Sequence, residues 1–377
     1  MKRSLLAIIL LLTVLTSCVQ GAGEGKTTPM TTAASVTTPT VTTTTSTKPD
    51  PKPPVTTVPI TTAPITTTPP ELPPVPTFGD VDLSEIDREN RSIVYTSEKS
   101  SLYSEDGKII TELDAGFTLI LLAQTEDYAV ILYKDNLCLI KPQQITQEIP
   151  ANVIEQQNTL GGIYYPAGEI LIAIDAGHQG KAMKEKEPLG PGSQELKAMV
   201  SSGTQGVSTR IPERELNLQV SLLLRDELLS RGYSVLMIRE SHDITISNAQ
   251  RAKVANDYGA DAFIRVHANG SDDRSVRGAM TICQTPENPY NGALYAQSRR
   301  LSDCILDNYC IATGIQKNNV WETDTMTGIN WAETPVTIVE MGYMSNAEED
   351  ELMATDAFRR TAAVGMANGL DAYFATE

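Results

Sequence analysis

Only three histidines occur among the 377 residues, and two of them, His178 and His267, directly follow short apolar runs, each with a small neighbour, Gly177 and Ala268. Two imidazoles and one carboxylate leave a fourth tetrahedral position open for water, which is the donor set of hydrolytic zinc. A histidine closing a strand reads first as structural when taken alone. The pair reads as a metal site because carboxylates also stand at element ends, Glu213 just after Pro212 and Glu340 within the run 336–341. No Cys/His pattern suggests nucleophilic catalysis by a thiol.

The elements that must position these groups follow from apolar periodicity. Residues 170–180, I-L-I-A-I-D-A-G-H-Q-G, form a continuous run rich in β-branched side chains. Such a run reads as a buried strand of a largely parallel sheet. In open α/β sheets the ligand site lies beyond the carboxyl ends of the strands, where His178 stands, and Gly177 allows the sharp turn there. A long Gly/Pro/Ser-containing connection, residues 181–211, comes next. Leu216, Val220, Leu223, Leu224 and Leu228 then recur at helical spacing, predicting a helix from Pro212 to Arg231-Gly232 with Glu213 in its first turn. Strands are expected at 233–238, 262–266, 278–284 and 336–341, and helices at 247–258 and 291–312. The alternation predicts an α/β domain over residues 168–377, a mostly parallel sheet flanked by helices.

The rest of the chain has other textures. Residues 91–148 carry five short β-like runs separated by turn signals such as Glu105-Asp106-Gly107 and Lys134-Asp135-Asn136, the spacing of a small all-β barrel. Residues 19–78 are mostly Thr, Pro, Ser and Val, and 13 of the 22 prolines fall there. That composition predicts a disordered, semi-rigid linker with a contour on the order of 150 Å. Lys2 and Arg3 precede an apolar run too short to span a bilayer, which predicts a secretion signal over residues 1–18. The net charge of −17, more negative still without Lys2 and Arg3, argues against nucleic acid and anionic membrane surfaces as partners. Of the cysteines after Cys18, Cys304 and Cys310 point to different faces of one predicted helix. Cys283 and Cys138 complete a set in which the catalytic region keeps at least one free thiol unless Cys138 reaches across.

Several blocks carry family resemblances. The ending Leu15-Thr16-Ser17-Cys18 resembles the lipobox of bacterial lipoproteins, which implies a diacylated Cys18 on the outer face of the cell membrane. An ordinary signal with Cys18 incidental is the alternative. Residues 91–148 are loosely similar to bacterial Src-homology-3-like wall-binding domains, with a plain spacer as the other reading. Residues 170–374 resemble the zinc-dependent N-acetylmuramoyl-L-alanine amidases of the third amidase type, which hydrolyse peptidoglycan. The matching blocks are Ile174-Asp175-Ala176-Gly177-His178, Glu213-Arg214-Glu215-Leu216-Asn217-Leu218, Arg239, Arg251 with Asn256, Val266-His267-Ala268-Asn269, and Val339-Glu340-Met341-Gly342-Tyr343-Met344-Ser345-Asn346.

Carried over, the resemblance implies Zn2+ ligands at His178, Glu213 and His267 and a catalytic glutamate at Glu340. The implied reaction cleaves the amide between the lactyl group of muramic acid and L-alanine with a zinc-activated water. Glu213, leading a helix, is expected in a solvated place. Glu340, at the end of an apolar strand, is expected to favour its protonated form and to pass a proton from water to the leaving amine. A structural Glu340 paired with Arg239 or Arg251 is the alternative. Asn269, Arg239, Arg251 and Trp331 are candidates for substrate contacts or for support behind the ligands. The chain departs from the family in its long 178–213 segment, in Arg214 where lysine is typical, and at Thr327-Gly328-Ile329-Asn330-Trp331, where many members have a short apolar-Arg sequence. The partners implied are the glycan strand and stem peptide of peptidoglycan. A zinc peptidase acting within the stem peptide and a non-catalytic wall-binding lipoprotein are the rival classes.

Overall fold

Alternating apolar residues build the first sheet, and both of its faces are covered. The computed structural model describes residues 83–375; the expected signal at 1–18, Cys18 and the linker at 19–78 lie outside the described residues. Seven strands, β1 (Ser92–Thr96), β2 (Ser100–Tyr103), β3 (Ile109–Leu113), β4 (Thr118–Gln124), β5 (Ala129–Tyr133), β6 (Asn136–Ile140) and β7 (Ile145–Thr146), pair antiparallel in the order β3-β2-β6-β5-β4-β1-β7. Lys134 and Asp135, at φ 47° and 61°, make the two-residue turn between β5 and β6. Positive φ at both central residues matches the right-handed twist of a hairpin. One face buries Val94, Leu102, Leu119 and Ile131. The other places Tyr95, Ile120, Leu122 and Leu132 in the same apolar cluster as Leu224 and Leu228 of the following region. Arg91 adds an ion pair to Glu227 at 2.9 Å.

After α1 (Ala151–Leu160), the second sheet collects β8 (Ile163–Tyr165), β9 (Leu171–Ala176), β12 (Ser234–Met237), β13 (Ala262–Asn269), β14 (Ala279–Cys283), β15 (Lys317–Glu322) and β16 (Val336–Tyr343). Its order is β15-β14-β16-β13-β9-β12-β8. The core strands β16, β13, β9 and β12 run parallel, while β8 pairs antiparallel with β12 and β14 antiparallel with β16. The sheet thus takes in a strand ahead of residue 168.

Period-two alternation sends neighbouring residues of β9 to opposite layers. Ile172 and Ile174 join the cluster under α2 (Glu213–Ser230), α4 (Tyr295–Thr313) and α7 (Asp356–Phe374). Leu171 and Ala173 join the cluster under α3 (Asn248–Asp257) and the one-turn helix α5 (Thr327–Asn330). α3 starts at a capping box, Ser247 accepting from Gln250 N while the Gln250 side chain accepts from Ser247 N. A last short helix, α6 (Ala347–Met353), leads into α7.

Three features depart from expectation. The connection 181–211 holds a hairpin, β10 (Met183–Pro188) with β11 (Leu196–Val200), which the polar residues on its exposed faces disguise. β13 runs on to Asn269, so His267 sits within the strand rather than beyond it, and β16 extends past the expected 341 to Tyr343. Helix α7 closes the domain by packing along α4. Among the described residues Cys138, Cys283, Cys304 and Cys310 form no disulfide. Among the described residues no helix is long and apolar enough to cross a membrane.

Candidate metal centre

His178, Glu213 and His267 converge, with one donor atom from each lying within 4.8 Å of the others. Three elements bring them together. The parallel strand β9 ends at Ala176, and the next turn carries His178 at φ 60°, a left-handed conformation uncommon outside glycine. Strain of this kind persists only where the surroundings over-determine it, and it gathers at functional sites. The backbone here is held from beneath. Arg239 donates to Ala176 O at 2.7 Å and Gly177 O at 2.9 Å, and Arg251 donates to His178 O at 3.0 Å. Gly177 is required for contact, since a Cβ there would lie 2.3 Å from His267 Cε1.

The second element is the first turn of α2. Glu213 is 4 % exposed, so the solvated position expected for it is corrected: the long 181–211 segment folds back over the helix start. Its Oε2 accepts from Thr204 N at 2.8 Å, and its Oε1 accepts from Ala268 N at 3.2 Å and Asn217 Nδ2 at 3.3 Å. Oε1 lies 3.0 Å from His178 Nε2 and 3.1 Å from His267 Nδ1. Burial alone would push this carboxyl up, but the two imidazoles outweigh it and hold the group well below the usual range. His178 Nδ1 donates to Ser201 O at 3.0 Å, which leaves Nε2 facing the cluster. Burial pushes His267 down from its ordinary value, favouring the neutral ring with a free lone pair.

The third element is the pair β13 and β16, whose parallel register sets His267 directly beside Glu340. Glu340 Oε2 is buried with no hydrogen-bond partner among the described residues, as is His267 Nε2. Burial, followed by the charge on Glu213, pushes the Glu340 carboxyl up to about 8. Arg239 and Arg251 bond elsewhere, so the alternative of a Glu340 paired with either arginine is not what the structure holds.

The donor set fits a divalent cation of borderline softness. Two imidazole nitrogens and an ionised carboxylate oxygen face one point, and buried polar atoms without partners adjoin them. The cluster opens into a cleft of about 860 Å3, with Asn269, Thr204, Lys197 and Thr327 in its walls.

The remaining candidates separate by position. Asn269 lines the cleft. Arg239 and Arg251 are 1 % and 0 % exposed, which makes them supports of the His178 turn and not substrate contacts. Trp331 does not itself line the cleft; it donates its indole N–H to Pro188 O at 3.0 Å and packs on the α3 cluster. The reading of its ring as a sugar platform gives way to packing. Asn217 and Arg265 were not singled out from the sequence. Asn217 stands four residues after Glu213, the spacing that puts two helix side chains on one face.

A pH effect follows from Glu340. The unfolded carboxyl ionises near its ordinary 4.5, whereas the folded one keeps its proton up to about 8. Across that window the folded state binds more protons, so the metal-free protein loses stability as pH rises. Glu340→Gln carries no such proton. Chelated Glu340→Gln should melt several degrees above the chelated native protein at pH 8–9, with the gap closing towards pH 4.5. Thermal unfolding across a pH series checks this, and a gap independent of pH contradicts it.

Comparison with known proteins agrees with the geometry. The family model for N-acetylmuramoyl-L-alanine amidase matches residues 172–372, just over half the chain. Among curated relatives, the N-acetylmuramoyl-L-alanine amidase CwlM of Bacillus licheniformis is 28 % identical over 176 residues, 45 % of this chain and 63 % of that protein. The N-acetylmuramoyl-L-alanine amidase Rv3717 of Mycobacterium tuberculosis is 26 % identical over 219 residues, 55 % of this chain and 88 % of that one. The crystal structure of the amidase Ami1 from Mycobacterium smegmatis shares the fold at a TM-score of 0.51 and 24 % identity, covering 56 % of this chain and 99 % of that one.

Proposed function

The chain belongs to the N-acetylmuramoyl-L-alanine amidase family, and from that premise we propose how this peptidoglycan amidase works and where it is held. The bond cut is the amide joining the lactyl group of N-acetylmuramic acid to the L-alanine of the stem peptide. The observation that carries the mechanism is the register that sets a protonatable, partnerless Glu340 beside His267. His178, Glu213 and His267 are the residues to hold Zn2+, which supplies Lewis-acid polarisation of the lactyl carbonyl and a nucleophilic water at neutral pH. Glu340, ionised once a bound cation offsets the charge on Glu213, takes a proton from the attacking water. It returns that proton to the departing L-alanine nitrogen as the carbon–nitrogen bond breaks, leaving a lactyl carboxyl and a free amine. Ionised Glu213, locked by Thr204 N and Ala268 N, stays a ligand and does not compete for the proton.

A wall substrate implies export, in keeping with the basic and apolar leader at residues 1–18. Lipidation at Cys18, a spacer over 19–78 and a wall-binding role for the sheet at 91–148 complete the reading, supported by the Leu-Thr-Ser-Cys ending, the proline content and the run of β-hairpins.

Digestion of purified peptidoglycan with mass identification of the products tests the function. Free L-alanine amino termini with lactyl carboxyls on the glycan are expected. New termini inside the stem peptide, with the lactyl amide intact, would replace this reading with a peptidase.

A further inference from the structure

Arg265 is a charged side chain inside the apolar strand β13, 4 % exposed, two residues before His267 and on the same face of the sheet. Its Nε donates to Asp175 Oδ2 at 2.9 Å and its Nη2 to Asn248 Oδ1 at 2.8 Å, which fixes the plane of the guanidinium. Among the described residues Nη1 has no hydrogen-bond partner, and the residue lines the same cleft as His178, Glu213 and His267. Nη1 rests against the backbone of Gly328, which lines the cleft beside it, and only glycine fits there because a Cβ would lie 1.8 Å from Nη1.

The local charge is out of balance. Asp175 is shared between Arg265 and Arg251, the latter at 2.5 Å, so one carboxylate answers two guanidinium charges. Arg239, close by, meets only carbonyl oxygens. Lys197 also lines the cleft, but its Nζ donates to Thr325 O at 2.5 Å. In a chain of net charge −17 this leaves a fixed positive group at the cleft floor with donor capacity to spare. A planar guanidinium so held is suited to a carboxylate.

We propose that Arg265 Nη1 binds a carboxylate on the second residue of the stem peptide and makes the enzyme prefer acidic over amidated peptide. Two residues along a strand span about 7 Å, which is the reach from a scissile acyl carbon to a group on the second peptide residue. The inference rests on the amidase reading above.

The test uses the full-length zinc-loaded enzyme with two synthetic substrates, muramoyl-L-alanyl-D-isoglutamate and its isoglutamine amide, both capped as the γ-methylamide so that only the first carries a carboxylate on the second residue. The native enzyme should favour the acid by about tenfold in kcat/KM, expressed mainly in KM, the scale of one hydrogen bond to a charged group. Arg265→Lys, which keeps a cation beside Asp175, should bring the ratio close to one. Equal kcat/KM on the two substrates in the native enzyme overturns the proposal, as does a Lys variant that keeps the native ratio. Should the variant fail to fold, inhibition of the native enzyme by the γ-methylamides of L-alanyl-D-isoglutamate and of L-alanyl-D-isoglutamine decides: tenfold tighter binding of the acid supports the site and equal inhibition rejects it. A native enzyme that cleaves neither substrate overturns the amidase reading and this site together, an outcome distinct from cleaving both equally.

Discussion

Glu340→Gln should lower kcat by at least a hundredfold, and by up to about ten-thousandfold, with fold and metal content unchanged, the range general acid–base catalysis contributes. The size of the effect follows from the absence of a substitute. Glu340 is the carboxyl that stands in register with His267, and Glu213 is ionised and tied on both oxygens. The amide is isosteric with the carboxyl, and Oε2 makes no hydrogen bond that the exchange would break. Burial that pushes the native carboxyl up to about 8 favours a neutral side chain, so the variant has no reason to unfold. Turnover of muropeptides, circular dichroism and bound-zinc analysis on one preparation separate the two effects. A variant retaining more than a tenth of native turnover would contradict the role.

The second large effect is on the metal. Chelation should abolish turnover and added Zn2+ restore it, while His267→Ala should lose activity below detection and resist rescue. Removing one of three donors leaves two, too few for the closed side of a hydrolytic site. The variant also opens the wall beside Gly177, whose missing Cβ already accommodates the ring. A readout independent of turnover accompanies this. Zn2+ at a hundredfold over its dissociation constant stabilises the folded chain by about 2.7 kcal/mol through mass action. The native protein should therefore melt several degrees higher with Zn2+, and His267→Ala should show no shift. Equal shifts in both proteins would place the ion somewhere other than this cluster.

Much of this site is legible in residue types and local order. Three histidines are few enough to weigh one by one. The run ending in Asp175-Ala176-Gly177-His178 announces a buried parallel strand, and the leucine spacing after Pro212 puts Glu213 in the first turn of a helix. The observed helix Glu213–Ser230 and strand Leu171–Ala176 lie where that periodicity puts them. The hairpin inside 181–211 escaped because Lys184, Glu185, Lys186 and Lys197 give it the polarity of a loop. Helix α7 escaped because its small residues, Ala362, Ala363, Gly365 and Gly369, carry little periodic signal until they meet α4.

The sequence by itself determined that two imidazoles and two carboxylates would arrive near the ends of neighbouring elements, because period and chain direction are local properties. Only the tertiary structure decided what each does. The His267–Glu340 register, the burial of Glu213 under Thr204, and the sharing of Asp175 between Arg251 and Arg265 all join residues at least nine, and up to ninety, positions apart. A strand's alternation says which face a side chain takes but not which neighbour it meets across the ladder. Strand pairing makes that choice, and pairing is a property of the whole fold.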